Sequence, residues 1–311
     1  MPRRSQKAHR RAAAGFAAAL LCLGGALAPA AGADAAARLH PPGASAVAVA
    51  GEAARVAAYW TPERMREAQP LDGPVADPLA SASFLPVEDA TVPPYAVNGR
   101  IFLRQGRNEG FCSGTAIDSP SRRLILTAGH CVNSGPRGRG AGSVWSSFLE
   151  FVPAYTDGTA PFGAFVAHRN AVFAPRPWVK RGNPNFDLGA VLTGPNESGV
   201  YPADAVGGAT VALDRGRKVE FQTFGYPGNV HRLQECSSPA VGEDKLTRGV
   251  PGPPTIRIRC HWLPGASGGG WLIEGGTEID GLTSYGRNHD MVHTYGPYFS
   301  GSNVGALVEG M

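Results

Sequence analysis

Three side chains, His130, Asp187 and Ser267, stand in contexts suited to moving a proton and attacking a carbonyl carbon. An apolar run, Leu124 to Leu126, delivers the small-residue turn Thr127-Ala128-Gly129, which presents His130 and is followed at once by Cys131. Ser267 lies in Gly265-Ala266-Ser267-Gly268-Gly269, and Asp187 lies between the two in Asn185-Phe186-Asp187-Leu188-Gly189-Ala190-Val191. A serine hydroxyl is a weak nucleophile at neutral pH and needs a base to take its proton. An imidazole titrates near neutrality, so it can take that proton and return it to a leaving group. A carboxylate on an apolar strand is placed to be buried, where it fixes the imidazole tautomer and stabilises the imidazolium. Glycines around the serine leave backbone N–H groups open to a developing oxyanion. Together these residues describe acyl transfer by covalent catalysis.

Such a site needs a frame that brings together residues far apart in sequence. The chain has 311 residues, enough for a sizeable core. Gly 42 and Pro 27 together exceed one residue in five and charged residues are only 17%, a balance that suits a turn-rich all-β protein. From about Val92 onward, short apolar runs alternate with turn residues. The expected strands are 100–103, 111–116, 123–126, 148–153, 187–192, 210–213, 218–224, 255–259, 270–273 and 278–284. Their spacing predicts a sandwich or barrels and argues against alternating β and α units. No repeat of fixed period and no sustained helical periodicity is present.

The order His, Asp, Ser, with Thr-Ala-Gly-His-Cys and Gly-Ala-Ser-Gly-Gly around the first and last, resembles the chymotrypsin/trypsin-like serine endopeptidases, most of all the bacterial secreted group that includes glutamyl endopeptidases. The resemblance covers roughly residues 95–311. It implies two six-stranded antiparallel β-barrels, about 96–195 and about 203–311, with the active site in the cleft between them. It implies His130 as general base and acid, Asp187 as its orienting partner, Ser267 as nucleophile, and the Gly265 and Ser267 amides as the oxyanion hole. It also implies that Ser284, Tyr285 and Gly286 form the edge along which substrate backbone binds, with Gly296-Pro297-Tyr298 behind the pocket. His261, six residues before Ser267, stands where trypsin carries its acidic pocket residue, so cleavage after Lys or Arg is not expected. Thr283 stands where some glutamyl endopeptidases have a histidine, which weakens cleavage after Glu. The chain departs from trypsin in having Ala266, not Asp, before the nucleophile, and in lacking an Ile-Val-Gly-Gly-type start near residues 85–100. Activation by that ion pair is therefore unavailable, and control by removal of a propeptide is expected instead.

Residues 1–33 read as a signal peptide: Arg3, Arg4, Lys7, Arg10 and Arg11, an apolar stretch from Ala12 to about Ala30, then Ala31-Gly32-Ala33. Removing those five cations takes the formal charge from +4 to −1, so nothing in the balance points to nucleic acid. No later segment has the apolar length of a membrane span. Residues 34–95 are alanine-rich, then acidic and proline-interrupted, with a short helix around Pro62–Ala68. They read as a propeptide or a disordered extension. Apart from Cys22, the cysteines are Cys112, Cys131, Cys236 and Cys260, which allow three pairings; the nearest-neighbour scheme, Cys112–Cys131 and Cys236–Cys260, is the expected one. A secreted, extracellular monomer acting on protein or peptide substrates follows, with no cofactor, no metal, no nucleic acid and no membrane after signal cleavage.

Other readings make different demands. Gly265-Ala266-Ser267-Gly268-Gly269 also fits the elbow of an α/β-hydrolase esterase, but that elbow opens into a helix, whereas glycines and then Trp-Leu-Ile follow here. A protease-like binding protein would keep the fold and leave Ser267 unreactive. His289 and His293 are four apart but lack the Glu of a zinc helix. Asp157, Asp204 and Asp214 also lie between His130 and Ser267, in turn or loop contexts.

Overall fold

In the computed structural model, the residues described are 37–38, 46–74, 84–137, 142–228, 230–273, 276–288 and 290–311. The expected signal segment, 1–33, lies outside them, as does His289. Two short strands, β1 (Ala37–Arg38) and β2 (Leu85–Pro86), precede the main sheets. The first barrel is built from β3 (Asn98–Gln105), β4 (Asn108–Ala116), β5 (Leu124–Thr127), β6 (Ser146–Pro153), β7 (Phe165–Ala174) and β8 (Gly189–Thr193). Its order is β7-β6-β3-β4-β5-β8, and pairing of β8 back onto β7 closes it. All these pairs are antiparallel, and a Gly106-Arg107 turn joins β3 to β4 so that Gln105 faces Asn108. Closure leaves none of the six with a free edge, which is how barrels avoid exposing unpaired backbone.

The second sheet contains β9 (Thr210–Val211), β10 (Glu220–Gly225), β11 (Gln234–Glu243), β12 (Ile256–Ile258), β13 (Gly270–Ile273), β14 (Glu278–Leu282) and β15 (Thr294–Gly296). Its order is β15-β12-β11-β10-β13-β14-β9, with β2 paired to β11. The chain after β14 returns to β15 through an antiparallel bridge between Tyr285 and Tyr295, so six antiparallel strands come round on themselves here too. The two-residue β9 adds parallel to β14. The expected all-β architecture of two six-stranded barrels is thus the one observed.

Alternation alone does not account for the burial. Ile101, Phe102 and Leu103 are consecutive on β3 and all fully buried, so both faces of that strand are covered. One cover comes from upstream. Helix α1 (Ala46–Tyr59) and helix α2 (Pro62–Glu67) lie before the barrels, with Thr61 as the α2 N-cap accepting from the Arg64 N–H. Trp60, between them, packs on Phe102 at 5.4 Å and donates its indole N–H to the Phe148 carbonyl at 2.6 Å. Val56, Trp60 and Met65 belong to the same apolar core as the first barrel. The second barrel has its own cluster around Phe221, Ile256, Trp262 and Trp271, and Phe84 stacks on Trp262. No helix among the described residues is long and apolar enough to cross a membrane.

Candidate active site

Strand register places the histidine beside the carboxylate. In the β5–β8 pair, Thr127 faces Gly189. The chain leaving β5 enters a single helical turn, α3 (Gly129–Val132), and His130 lies three residues past Thr127. Asp187 ends a 3-10 turn, Pro184–Phe186, two residues before Gly189. The two residues therefore meet at the rim of the barrel. Asp187 Oδ1 accepts the His130 backbone N–H at 2.7 Å, and its Oδ2 pairs with His130 Nδ1 at 2.8 Å. Gly129 is required by the closeness: a Cβ there would lie 2.8 Å from Asp187 Oδ1 and 2.9 Å from the Leu188 nitrogen. Gln105 fixes the turn from β3 by donating to the His130 carbonyl at 3.0 Å.

Ser284 also reaches this carboxylate, donating its hydroxyl to Asp187 Oδ2 at 2.5 Å. Asp187 is only 3% exposed, so its charge acts through little solvent. Burial works against the imidazolium of His130, but the charge of Asp187, its hydrogen bond and the charge of Asp72 outweigh it and push the His130 pKa up to about 9. Asp157, Asp204 and Asp214 are engaged elsewhere, with Arg232, Arg122 and the Gly301 N–H.

Ser267 lies in the loop before β13, and the first barrel holds that loop. The Ser113 N–H donates to the Ser267 carbonyl at 2.7 Å. The Ser113 hydroxyl donates to the Gly265 carbonyl at 2.9 Å and accepts from the Tyr226 N–H at 2.9 Å. Gly268, at φ +84°, permits the turn behind the serine: a Cβ would fall 2.1 Å from Thr127 Oγ1 and 2.3 Å from the Ser113 carbonyl. Disulfides Cys112–Cys131 and Cys236–Cys260 are both formed. The first ties β4, one residue from Ser113, to the turn that carries His130. It also consumes the two sulfurs nearest His130, leaving no thiolate for a metal there.

The Ser267 hydroxyl donates to Asp72 Oδ2 at 2.7 Å, and the Gly265 N–H donates to Asp72 Oδ1 at 2.9 Å. His130 Nε2 is buried and has no hydrogen-bond partner among the described residues. Nothing in the sequence marks Asp72, Ser113 or Gln105: the first lies in the upstream extension, and the other two are polar residues on apolar strands.

The remaining expected residues are distributed as follows. Ser284 joins the carboxylate, and the Ser284 and Tyr285 N–H groups both donate to the Tyr295 carbonyl. The Tyr285 ring stacks on Tyr295 at 5.2 Å, and its hydroxyl donates to Asp244, which Arg287 also holds. A side chain at Gly286 would meet open space. The Thr283 hydroxyl accepts the Trp271 indole N–H at 3.0 Å. His261 is half-buried with Nδ1 unpartnered among the described residues; burial lowers its pKa, with Asp290 opposing. No hydrogen bond joins His261 to His130, Asp187 or Ser267 among the described residues. His293 pairs with Asp290 three residues before it. Strand β13 follows Ser267 where an α/β-hydrolase elbow would open into a helix, so that alternative fails on the fold.

No protein-family model and no curated protein matches this chain. Among solved structures it is similar to the protease Anisep from Arthrobacter nicotinovorans, with 29% identity and a TM-score of 0.60, covering 70% of this chain and 94% of that one. It is also similar to the thermostable serine protease AL20 from an extremophilic microorganism, with 25% identity and a TM-score of 0.58 over 67% of this chain and 93% of that one. A Glu endopeptidase solved in complex with MPD shares the fold at 19% identity and a TM-score of 0.57, covering 75% of this chain and 96% of that one. The chain thus has the fold of the bacterial chymotrypsin-like serine proteases.

Proposed function

We propose that this protein is a secreted serine endopeptidase that hydrolyses peptide bonds through an acyl-enzyme formed on Ser267. The observation that carries the reading is the buried Asp187 carboxylate gripping both the backbone N–H and Nδ1 of His130. That grip leaves Nε2 as the imidazole nitrogen free to exchange a proton with Ser267. In the first half-reaction His130 takes the Ser267 proton as Oγ bonds to the scissile carbonyl carbon. The carbonyl oxygen becomes an oxyanion held by the Gly265 and Ser267 amides. The C–N bond then breaks, and the departing amine leaves with the proton from His130. Water repeats the sequence on the acyl ester and restores Ser267. Asp187, with Ser284 behind it, holds the tautomer and stabilises the imidazolium.

Similarity to the two proteases supports peptide substrates, and the two disulfides are consistent with an oxidising, extracellular setting. Ser284 and Gly286 would bind substrate backbone and Tyr285 would form an apolar wall, with open space at Gly286 favouring close approach. His261 would lie toward the pocket base. Residues 1–33 would be the signal peptide and 34–95 the propeptide preceding the peptidase domain, 96–311. The test is turnover of a peptide library by the processed protein recovered from culture medium. Cleavage that disappears in Ser267→Ala supports the reading, and cleavage that persists in that variant refutes it.

A further inference from the structure

We infer that the catalytic cleft is also a binding site for an acidic turn of this same chain, residues 69–72, with the Asp72 carboxylate bound by the Gly265 N–H and the Ser267 hydroxyl, so that residues 46–72 form a built-in inhibitor. The inference rests on the serine-endopeptidase reading above.

Both oxygens of Asp72 are used. Oδ1 takes the Gly265 N–H at 2.9 Å and Oδ2 takes the Ser267 hydroxyl at 2.7 Å. An anion at that amide stands where the oxygen of a scissile carbonyl must go, so substrate and Asp72 exclude each other. The second bond sends the Ser267 proton to a carboxylate and away from His130, whose Nε2 is left without a partner among the described residues. The same arrangement therefore fills the oxyanion site and uncouples nucleophile from base.

The turn is held there by backbone and by core. The Phe111 N–H donates to the Gln69 carbonyl and the Leu71 N–H to the Phe111 carbonyl, both at 3.0 Å, forming a parallel bridge at Pro70. The Gly73 N–H closes the turn onto the Pro70 carbonyl at 3.3 Å, which leaves Asp72 near its tip. Upstream, Arg64 pairs with Glu109 at 2.9 Å, and buried Trp60 and Met65 anchor the helices in the barrel core. Because a side-chain carboxylate faces Ser267, and not a peptide carbonyl, the turn offers the nucleophile no bond to cut. This separates it from a substrate and explains how it could persist beside an assembled His130–Asp187 pair.

The experiment measures the rate at which a fluorophosphonate labels Ser267 in the full chain, with intact mass confirming that each sample is uncleaved. Uncleaved Asp72→Ala and Asp72→Asn are expected to label at least tenfold faster than uncleaved wild type. Glu63→Ala, which removes an exposed acid of the same extension that forms an ion pair with Arg66, is expected to match wild type. Equal rates for wild type and both Asp72 variants overturn the inference. If processed protein labels while uncleaved Asp72 variants stay as slow as wild type, the inference alone falls. If processed protein does not label either, the endopeptidase reading has failed and takes the inference with it.

Discussion

Replacing Ser113 by Ala should loosen the oxyanion loop without touching substrate. Ser113 is 1% exposed and its hydroxyl bridges two backbone groups, donating to the Gly265 carbonyl and accepting from the Tyr226 N–H. The alanine leaves both groups buried without that partner. Each such loss costs about 1–3 kcal/mol. The removed hydroxyl also no longer has to be desolvated, so we expect a net loss of about 2–4 kcal/mol. The unfolding free energy is to be measured by chemical denaturation in a Ser267→Ala background, which prevents self-digestion. Ser147→Ala, which removes an exposed hydroxyl bonded to the Arg104 carbonyl, is the comparison and should stay within about 0.5 kcal/mol. In the active background, Ser113→Ala should lower kcat by about tenfold or more, below the roughly 100- to 1,000-fold seen when an oxyanion donor is lost outright. An unfolding free energy within about 0.5 kcal/mol of the parent, with kcat unchanged, would refute the argument that this hydroxyl sets the position of Gly265.

Asp187→Asn should cut kcat by about 10⁴-fold with the fold retained, because an amide in place of Oδ2 cannot accept from both His130 and Ser284 and the imidazole takes the wrong tautomer; steady-state kinetics and circular dichroism check the two halves. Gly268→Ala should prevent accumulation of folded protein, since its Cβ would overlap Thr127 Oγ1 and the Ser113 carbonyl at a positive φ; a soluble, active Ala variant contradicts this. Asp280 is fully buried, neither of its oxygens has a partner among the described residues, and burial raises its pKa from 3.8 to about 7. A carboxyl whose folded pKa is raised costs stability as pH climbs from its unfolded value through the folded one. Wild type should therefore lose stability between about pH 4 and 7 relative to Asp280→Asn, as followed by denaturation at each pH.

Ten of the strands carry their own signal, because Val, Ile, Leu and Phe cluster in them between turn residues. Three longer-range partners do not. Strand β7 holds His168, Arg169 and Asn170 in its middle, where the register shifts against β8, so its apolar ends read as separate fragments. Strand β11 contains Ser237, Ser238, Pro239 and Gly242, residues that normally break strands, and it tolerates them beside a register shift against β12. Strand β15 has three residues and exists because all three pair with β12, a partner its own sequence does not announce. At the site, His130, Asp187 and Ser267 announce themselves through glycines whose positions the backbone requires. Asp72 has no such mark: it is one acid in Leu-Asp-Gly, and only the docking of α1, Trp60 and α2 brings it 195 positions along the sequence to Ser267. Ser113 is hidden for a similar reason, since its two hydroxyl partners come from the second barrel.

The central claim is that Ser267 is a nucleophile activated by His130. Processed protein from culture medium should be treated with a fluorophosphonate and the modified peptide mapped, in parallel with His130→Ala. Covalent modification at Ser267, lost in His130→Ala, is the predicted result. Modification that survives loss of His130, or a processed and disulfide-bonded protein that remains unlabelled at Ser267, would contradict it and leave a protease-shaped binding protein in its place.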